Sequence, residues 1–194
     1  MTAAKPCKYD FQFVKLWSER LDGLSEDREF PESAVKNISR IREHIQKLFV
    51  APNKYHLCTY TRWEPSQALN GEYTRKMYRG TKGRCFCQMC KKSWPERYIE
   101  NNEIDIEPAY AWEQTRLSLC LQCSKDYILL RNNKAIRQRF VQNIMKADVA
   151  NVGTCEIGIG EDRSITFTAT HLAEIQEIFR QQGWGDNAPR RQES

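Results

Sequence analysis

Two pairs of cysteines provide the strongest chemical signal in this sequence. Each pair has CxxC spacing, Cys87 with Cys90 and Cys120 with Cys123, so both thiols of a pair can face one ion from a tight turn. Zn²⁺ accepts four thiolates in a tetrahedron and has no ligand-field preference of its own. We therefore predict one structural Zn²⁺ bound by these four cysteines. Such a shell leaves no open position for water, so the ion is expected to stabilise the fold without catalysing a reaction.

The remaining cysteines are less informative. Cys85 lies two residues before Cys87 and offers a substitute ligand, but we expect it to lie beside the metal site without coordinating. Cys7, Cys58 and Cys155 are isolated and are expected to be buried or inert. Four buried free thiols are the alternative to a metal site, since Cys packs well as a small apolar residue. Two separate CxxC pairs favour the metal.

The segment from residue 75 to residue 97 is the most basic part of the chain. Against the single acid Glu96 it carries eight basic residues: Arg75, Lys76, Arg79, Lys82, Arg84, Lys91, Lys92 and Arg97. Such side chains contact phosphates without regard to sequence, and Tyr73, Tyr78 or Trp94 could stack on bases. We treat the eight as candidate nucleic-acid-binding residues, with an ordinary solvated surface as the alternative. A second basic strip follows the second CxxC, at Lys125, Arg131, Lys134, Arg137 and Arg139.

Composition permits a polyanionic partner without requiring one. The formal net charge is +5, which is a mild basic excess. No apolar run reaches the roughly 20 residues that a membrane-spanning helix needs, so no membrane association is predicted. The N-terminus lacks the apolar segment of a secretory signal, which favours a cytoplasmic protein with reduced thiols over a disulfide framework.

The stretch from Arg84 to Tyr127 resembles the zinc-bound HNH endonucleases of the ββα-metal group. In that family a CxxC turn precedes a strand of the form Glu-x-His-His-Ile, then an Asn and a second CxxC or CxxH that opens a helix. Glu100 stands at the acidic position, but Asn101 and Asn102 stand in place of the His pair. An asparagine amide cannot accept a proton near neutral pH, so it cannot act as the base. The resemblance implies a degenerate HNH-like module without hydrolysis. An active metal-dependent nuclease with an unusual base is the alternative.

A looser resemblance covers residues 80–183. The order CQMC, RYIE and LSLCLQC, followed by a helix, a hairpin and ITFTATHL, is similar to the C-terminal zinc region of very large bacterial proteins. Those proteins carry an N-terminal ATP-binding domain like that of sacsin and Hsp90, and some are linked to phage defence. Because no such ATP-binding domain is found in this sequence, the resemblance implies an excised C-terminal portion of such a bacterial protein or a stand-alone relative, with a larger protein assembly as a candidate partner.

An α+β scaffold is predicted to position these motifs. Apolar periodicity predicts helices at 10–22, 32–50, 124–147 (interrupted at Asn132-Asn133) and 171–183. Strands are predicted at 54–63, 72–80, 97–107 and 117–120, the first two as a hairpin, and a further hairpin at 154–170. His171 is expected to cap a turn or to pack in the core. The predicted order is an N-terminal helical region (1–53), a zinc-binding HNH-like treble clef (54–150), a β-hairpin plus helix (151–185) and a disordered tail (186–194).

Together these features predict a non-catalytic, zinc-stabilised binding module that contacts DNA or RNA through a basic face. Two alternatives stay open. One is an HNH-like metal-dependent nuclease, and the other is a protein–protein interaction subunit of a bacterial defence-type assembly.

Overall fold

The computed structural model describes residues 29–50, 58, 59, 71–104, 110–149 and 153–184. Within these residues the fold is α+β, as predicted, with helices packed against two-stranded antiparallel sheets. The helices are α1 (Ile38–Val50), α2 (Glu72–Met77), α3 (Leu121–Asn132), α4 (Lys134–Lys146) and α5 (Ala169–Gln181). The strands are β1 (Cys58–Thr59), β2 (Arg84–Phe86), β3 (Ser93–Pro95), β4 (Ile99–Glu103), β5 (Tyr110–Ala111), β6 (Arg116–Cys120), β7 (Thr154–Ile159) and β8 (Arg163–Thr168). The predicted helix at 10–22, most of the predicted strand at 54–63 and the predicted tail lie outside the described residues.

Helix α1 begins at Ile38 because Asn37 caps it. The Asn37 side-chain oxygen accepts the backbone N–H of Arg40 at 3.0 Å, which satisfies a donor of the first turn. The sequence-based prediction began this helix too early, since residues 31–37 are not helical. The apolar stripe of α1 packs against α5, and Ile45 is fully buried there.

Helix α2 forms where a strand was predicted. The Glu113 carboxylate accepts the backbone N–H groups of Gly71 at 3.2 Å and of Tyr73 at 3.3 Å. The Thr74 hydroxyl donates to the Gly71 carbonyl at 3.0 Å. A carboxylate at this end of a helix satisfies free N–H groups and interacts favourably with the helix dipole. The predicted strand at 72–80 is therefore wrong, because a distant acid stabilises a helical turn there.

The central strands form three antiparallel pairs. In the first, β1 pairs with β5, so the predicted hairpin between residues 54–63 and 72–80 is also wrong. In the second, β2 pairs with β3, with Cys85 opposite Trp94. In the third, β4 pairs with β6 from Ile99 opposite Cys120 to Glu103 opposite Arg116. This last pair places the end of β6, and with it the second CxxC, beside the start of β4.

The long helical region after β6 is divided at Asn133, close to the predicted interruption. The Asn133 side-chain oxygen accepts the backbone N–H groups of Ala135 at 3.0 Å and Ile136 at 3.3 Å, so it caps α4. Helix α3 begins at Leu121, three residues before the predicted start at Ser124, and therefore includes Cys123 in its first turn.

The C-terminal hairpin and helix form as predicted. Strands β7 and β8 pair from Thr154 opposite Thr168 to Ile159 opposite Arg163. Helix α5 ends at Gln181, and Gly183 just beyond it has a φ of 86°, in the left-handed region that glycine adopts without strain. The Trp184 N–H donates to the Phe179 carbonyl at 2.8 Å, which completes a Schellman motif.

The described elements share one hydrophobic core. It runs from Ile45 on α1 through Leu117 and Leu119 on β6 to Phe167 on β8 and Ile178 on α5. The N-terminal helix, the cysteine-bearing unit and the C-terminal hairpin therefore pack together, and the residue boundaries drawn at 53, 150 and 185 stay predictions. Every helix that the structure describes is too short or too polar to cross a lipid bilayer.

Candidate metal centre

Four cysteine sulfurs lie together where the β2–β3 turn meets the start of α3. The sulfurs of Cys87, Cys90, Cys120 and Cys123 all lie within 4.8 Å of one another. Three of these cysteines are buried and Cys90 is half-buried, and all four are free thiols. A sulfur-only group with this spacing could hold one metal ion that prefers soft ligands.

The first CxxC forms a tight turn between β2 and β3. The Lys91 N–H donates to the Cys87 carbonyl at 2.8 Å, and the Cys87 N–H donates to the Lys92 carbonyl at 3.0 Å. Lys91 has a φ of 60°, a left-handed conformation that turns the chain back toward β3. The turn thereby directs the two sulfurs toward the same point.

The second CxxC joins a strand to a helix. Cys120 is the last residue of β6, and Cys123 lies in the first turn of α3. Because a helix brings residues three apart onto one face, Cys123 returns to the side that Cys120 occupies. The order of CxxC turn, strand pair and CxxC-bearing helix is the one predicted from the sequence.

The four cysteine thiols shift one another's pKa values. Burial raises the pKa of Cys87, whereas hydrogen bonds from Cys120 and Cys123 lower the pKa of Cys90. A hydrogen bond from Cys123 lowers the pKa of Cys120, and a hydrogen bond to Cys120 raises that of Cys123. A bound dication would favour the thiolate at all four positions.

Gln88, inside the first CxxC, attaches the turn to the rest of the fold. Its backbone N–H donates to the Ser118 carbonyl at 2.8 Å, and its side-chain oxygen accepts the Ser118 N–H at 2.8 Å. Its carbonyl accepts the Thr166 N–H at 2.7 Å, and its side-chain amide donates to the Thr166 carbonyl at 3.1 Å and the Tyr78 hydroxyl at 3.0 Å. Gln88 is fully buried and connects β6 with β8 as a short strand would. Sequence reasoning missed this role, because a glutamine in a CxxC turn gives no signal of burial.

Cys85 lies outside the four-sulfur group, in agreement with the prediction. Its thiol donates to the Arg75 carbonyl at 3.8 Å, and burial raises its pKa to about 11. The half-buried Cys155 thiol donates to the Asp148 carbonyl at 3.6 Å. Nothing can be assigned to the Cys7 and Cys58 side chains, which lie outside the described residues.

Several of the eight candidate basic residues have acidic partners. Arg75 pairs with Glu96 at 3.5 Å and Lys76 with Glu72 at 2.7 Å, and Lys91 pairs with Glu156. These ion pairs reduce the local positive charge that the sequence had indicated.

The other candidate basic residues occupy the turn and the edge of the β2–β3 pair. Arg84 donates to the Ser93 hydroxyl at 3.0 Å, and the Arg97 guanidinium lies 5.0 Å from the Tyr98 ring centroid. Lys82 adopts a left-handed conformation at the tip of the turn before β2. Arg79, Lys82 and Lys92 are exposed.

Two of the three aromatic residues proposed for base stacking are in the core. Tyr78 is fully buried, and Trp94 is 8% exposed. Tyr73 is half-buried, and its hydroxyl donates to Glu174. The expectation that Tyr78 or Trp94 stacks on bases is therefore wrong, because neither ring face reaches the surface.

His171 packs in the core beside Tyr78. Packing in the core was one of the two roles expected for it. The Tyr78 hydroxyl lies 2.7 Å from His171 Nδ1, and Nε2 lies 2.7 Å from the Gln114 carbonyl. Since a carbonyl only accepts, Nε2 carries the proton and Nδ1 accepts from Tyr78. Burial lowers the pKa of His171 to about 4, so the imidazole is neutral near pH 7.

The two asparagines at the positions of the HNH histidines hold β4 in place. Asn101 Oδ1 accepts the Thr74 hydroxyl at 2.8 Å, and Asn102 Nδ2 donates to the Ser124 hydroxyl at 3.0 Å. Both amides therefore bind neighbouring helices, α2 and α3. Glu100 is exposed between the core positions of the strand.

Comparison with protein-family models, with curated proteins and with solved structures finds no match to this chain. The four-sulfur group and the surface around it therefore carry the functional argument.

Proposed function

We propose that this chain is a non-catalytic binding module that is held together by one structural Zn²⁺ and contacts nucleic acid through basic side chains. The observation that carries the proposal is the convergence of four cysteine sulfurs from two CxxC motifs. Cys87, Cys90, Cys120 and Cys123 would be the ligands.

The sulfur spacing fits zinc. Zn–S bonds of about 2.3 Å in a tetrahedron place the ligands about 3.8 Å apart. The four ligand atoms lie within 4.8 Å of one another, which permits this geometry with small adjustments. The ion would cross-link the β2–β3 turn to the junction of β6 and α3. Structural zinc sites contribute to the free energy of folding through such cross-links.

A non-catalytic role follows from the proposed ligand set and from the residues around it. Four protein thiolates fill a tetrahedral shell, which leaves no position for a substrate or a water. Asn101 and Asn102 are engaged with Thr74 and Ser124. This arrangement supports a scaffold like that of a degenerate HNH module and gives no support to a hydrolytic one.

Contact with nucleic acid is supported by the charge and by its location. The chain has a formal net charge of +5, and its exposed cations include Lys92, two residues after Cys90, and Lys82, in the turn before β2. Phosphate contacts by such residues would give binding that weakens steeply with salt. A titration of the metal-replete protein against DNA and RNA, repeated across a series of KCl concentrations, tests this. Binding with a steep salt slope is expected, and no binding at low salt would refute the nucleic-acid part.

The zinc part has its own experiment. We expect about one zinc per chain in the purified protein, loss of zinc in Cys120→Ser and retention in Cys85→Ser. Cys85 is a matched control because it is buried in the same unit and lies outside the sulfur group. Equal zinc content in the two variants would contradict the proposed ligand set.

A protein–protein contact is the second candidate. Ile128 and Leu129 are adjacent on α3 and are 37% and 73% exposed, so they offer a small apolar surface to a partner. In a subunit of a larger bacterial defence-type assembly they would lie at an interface. A partner-dependent gain of hydrogen-exchange protection over α3, with no salt-dependent nucleic-acid binding, would favour this candidate.

A further inference from the structure

Helix α4 has two chemically distinct faces. Its inner face packs into the core through Phe140, Val141 and Ile144, which are at most 2% exposed. Its exposed polar side chains form what we define as the α4 outer face: Lys134, Gln138, Arg139, Gln142 and Lys146. The helix contains no Asp or Glu. A helix face that offers only cations and amides is complementary to a polyanion with hydrogen-bonding groups.

We propose that the α4 outer face enters the major groove of duplex DNA. The inference rests on the proposed nucleic-acid binding and assigns it to a surface outside residues 75–97. Arg, Lys and Gln are side chains that pair with base edges in this groove, Arg and Lys with guanine and Gln with adenine. The face thus combines phosphate-binding and base-reading groups on one helix.

The dimensions of α4 fit this groove. At 1.5 Å per residue, Lys134 and Lys146 are about 18 Å apart along the helix axis. The major groove of B-DNA is about 12 Å wide and admits one α-helix. The two terminal lysines can therefore reach phosphates on opposite sides of the groove, while Gln138, Arg139 and Gln142 face the base edges between them. The major groove of A-form RNA is too narrow for such an entry, which favours DNA.

Two of the three cations on this face differ from several of those in residues 75–97 in having no ion pair within the part of the chain that the structure describes. Arg139 and Lys146 have no carboxylate partner among the described residues. The acid on the neighbouring helix, Asp126 of α3, pairs with Arg163 at 3.4 Å. In contrast, Arg75, Lys76 and Lys91 form ion pairs with acids.

The helix is also held rigidly, so little order has to be gained on binding. Asn133 caps its N-terminus, and the Asn143 side chain donates to the Gly158 carbonyl at 3.2 Å. The Gln176 side chain donates to the carbonyls of Ile144 at 2.8 Å and Ala147 at 2.7 Å at its C-terminal end. These contacts fix both the position and the end of α4 relative to β7 and α5.

Three charge-matched triple variants test the inference. All replaced side chains are exposed, and each variant loses the same formal charge. The test variant is Lys134→Gln/Arg139→Gln/Lys146→Gln on α4. The first control is Lys36→Gln/Arg40→Gln/Lys47→Gln, on and before α1. The second control is Lys76→Gln/Lys82→Gln/Lys92→Gln, from the basic segment near the cysteine turn. Binding of a fluorescent DNA duplex of mixed sequence is followed by anisotropy over a KCl series, with circular dichroism to verify the fold.

The α4 variant is expected to bind duplex DNA roughly tenfold or more weakly than the parent at 0.1 M salt. Loss of the phosphate contacts of Lys134 and Lys146 should also reduce the slope of log K against log salt by about two. The α1 control should retain the parent affinity. A smaller loss in the second control is compatible with additional phosphate contacts there.

Other outcomes separate this inference from the proposed function. If the second control loses binding and the α4 variant does not, the chain binds nucleic acid but not through α4. If all three variants weaken binding equally, net charge and not this helix determines the affinity. Equal or tighter binding of an RNA duplex of the same sequence would overturn the major-groove geometry. Failure of the parent protein to bind either duplex at low salt would refute this inference. Failure to bind single-stranded DNA and RNA as well would refute the nucleic-acid part of the proposed function, and the zinc part would stand on its own experiment.

Discussion

Replacing Gln88 by alanine should destabilise the fold far more than is usual for a polar residue in a turn. Its side chain makes three buried hydrogen bonds, to the Ser118 N–H, the Thr166 carbonyl and the Tyr78 hydroxyl. Gln88→Ala would leave the Ser118 and Thr166 backbone groups without partners in the core. Each such group costs roughly 1–3 kcal/mol, so we expect a loss of about 4 kcal/mol in the free energy of unfolding. The Tyr78 hydroxyl loses one donor but keeps a hydrogen bond, since it still accepts the Thr168 N–H at 3.2 Å.

The second CxxC supplies a matched control. Gln122 occupies the third position of that motif, is exposed and donates only to Asp126, at 3.2 Å. Gln122→Ala should therefore change the free energy of unfolding by no more than about 0.5 kcal/mol. Urea unfolding followed by circular dichroism, with zinc in excess so that the metal site stays saturated, measures both values. A loss below about 1 kcal/mol for Gln88→Ala, or equal losses in the two variants, would refute the bridging role.

Two further perturbations test the packing around the site. Below pH 6.5 the unfolded chain protonates His171, whereas the buried imidazole resists protonation down to its pKa of about 4. Protons therefore favour unfolding in this window, and stability that is complete above pH 6.5 should fall by up to about 3 kcal/mol as the pH drops through 4. Urea titrations at several pH values should show this slope in the parent protein but not in His171→Gln, and equal slopes would contradict it. Gly71→Ala should cost about 2–4 kcal/mol, because a Cβ would overlap the Asn101 side chain and φ is +71°. Gly83 has the same φ but open space around the position of a Cβ, so Gly83→Ala should cost only about 1 kcal/mol. Similar decreases in melting temperature for the Gly71 and Gly83 variants would argue against an overlap with Asn101.

Local sequence patterns predicted the elements whose stabilising contacts are local. The C-terminal hairpin and α5 follow from alternating and helical apolar spacing, and Asn133 caps α4 from the adjacent position. The four cysteines were identified because zinc ligands of CxxC spacing are recognisable in a single sequence. In the hairpin, in the helix cap and within each CxxC pair, the residues that determine the structure are close in sequence. The two CxxC pairs were joined by the coordination chemistry of zinc.

The wrong predictions for residues 72–80 and for Tyr78 share a different cause, since each depends on a partner far along the chain. Residues 72–77 were predicted as part of a strand, yet the carboxylate of Glu113, about 40 residues later in the chain, stabilises them as a helix. Tyr78 looked like a surface aromatic in a basic segment, but His171 and Gln88 place its hydroxyl in the core. Gln88 itself carries no sequence signal, because its role depends on strands that form 30 and 78 residues later.

The central claim is a zinc ion held by four cysteine sulfurs with no other ligand. X-ray absorption at the zinc edge of the purified protein measures this shell directly. The predicted spectrum has four sulfur scatterers at about 2.3 Å and no nitrogen or oxygen in the first shell. A metal-replete preparation without zinc, or a shell containing nitrogen or oxygen, would contradict the account.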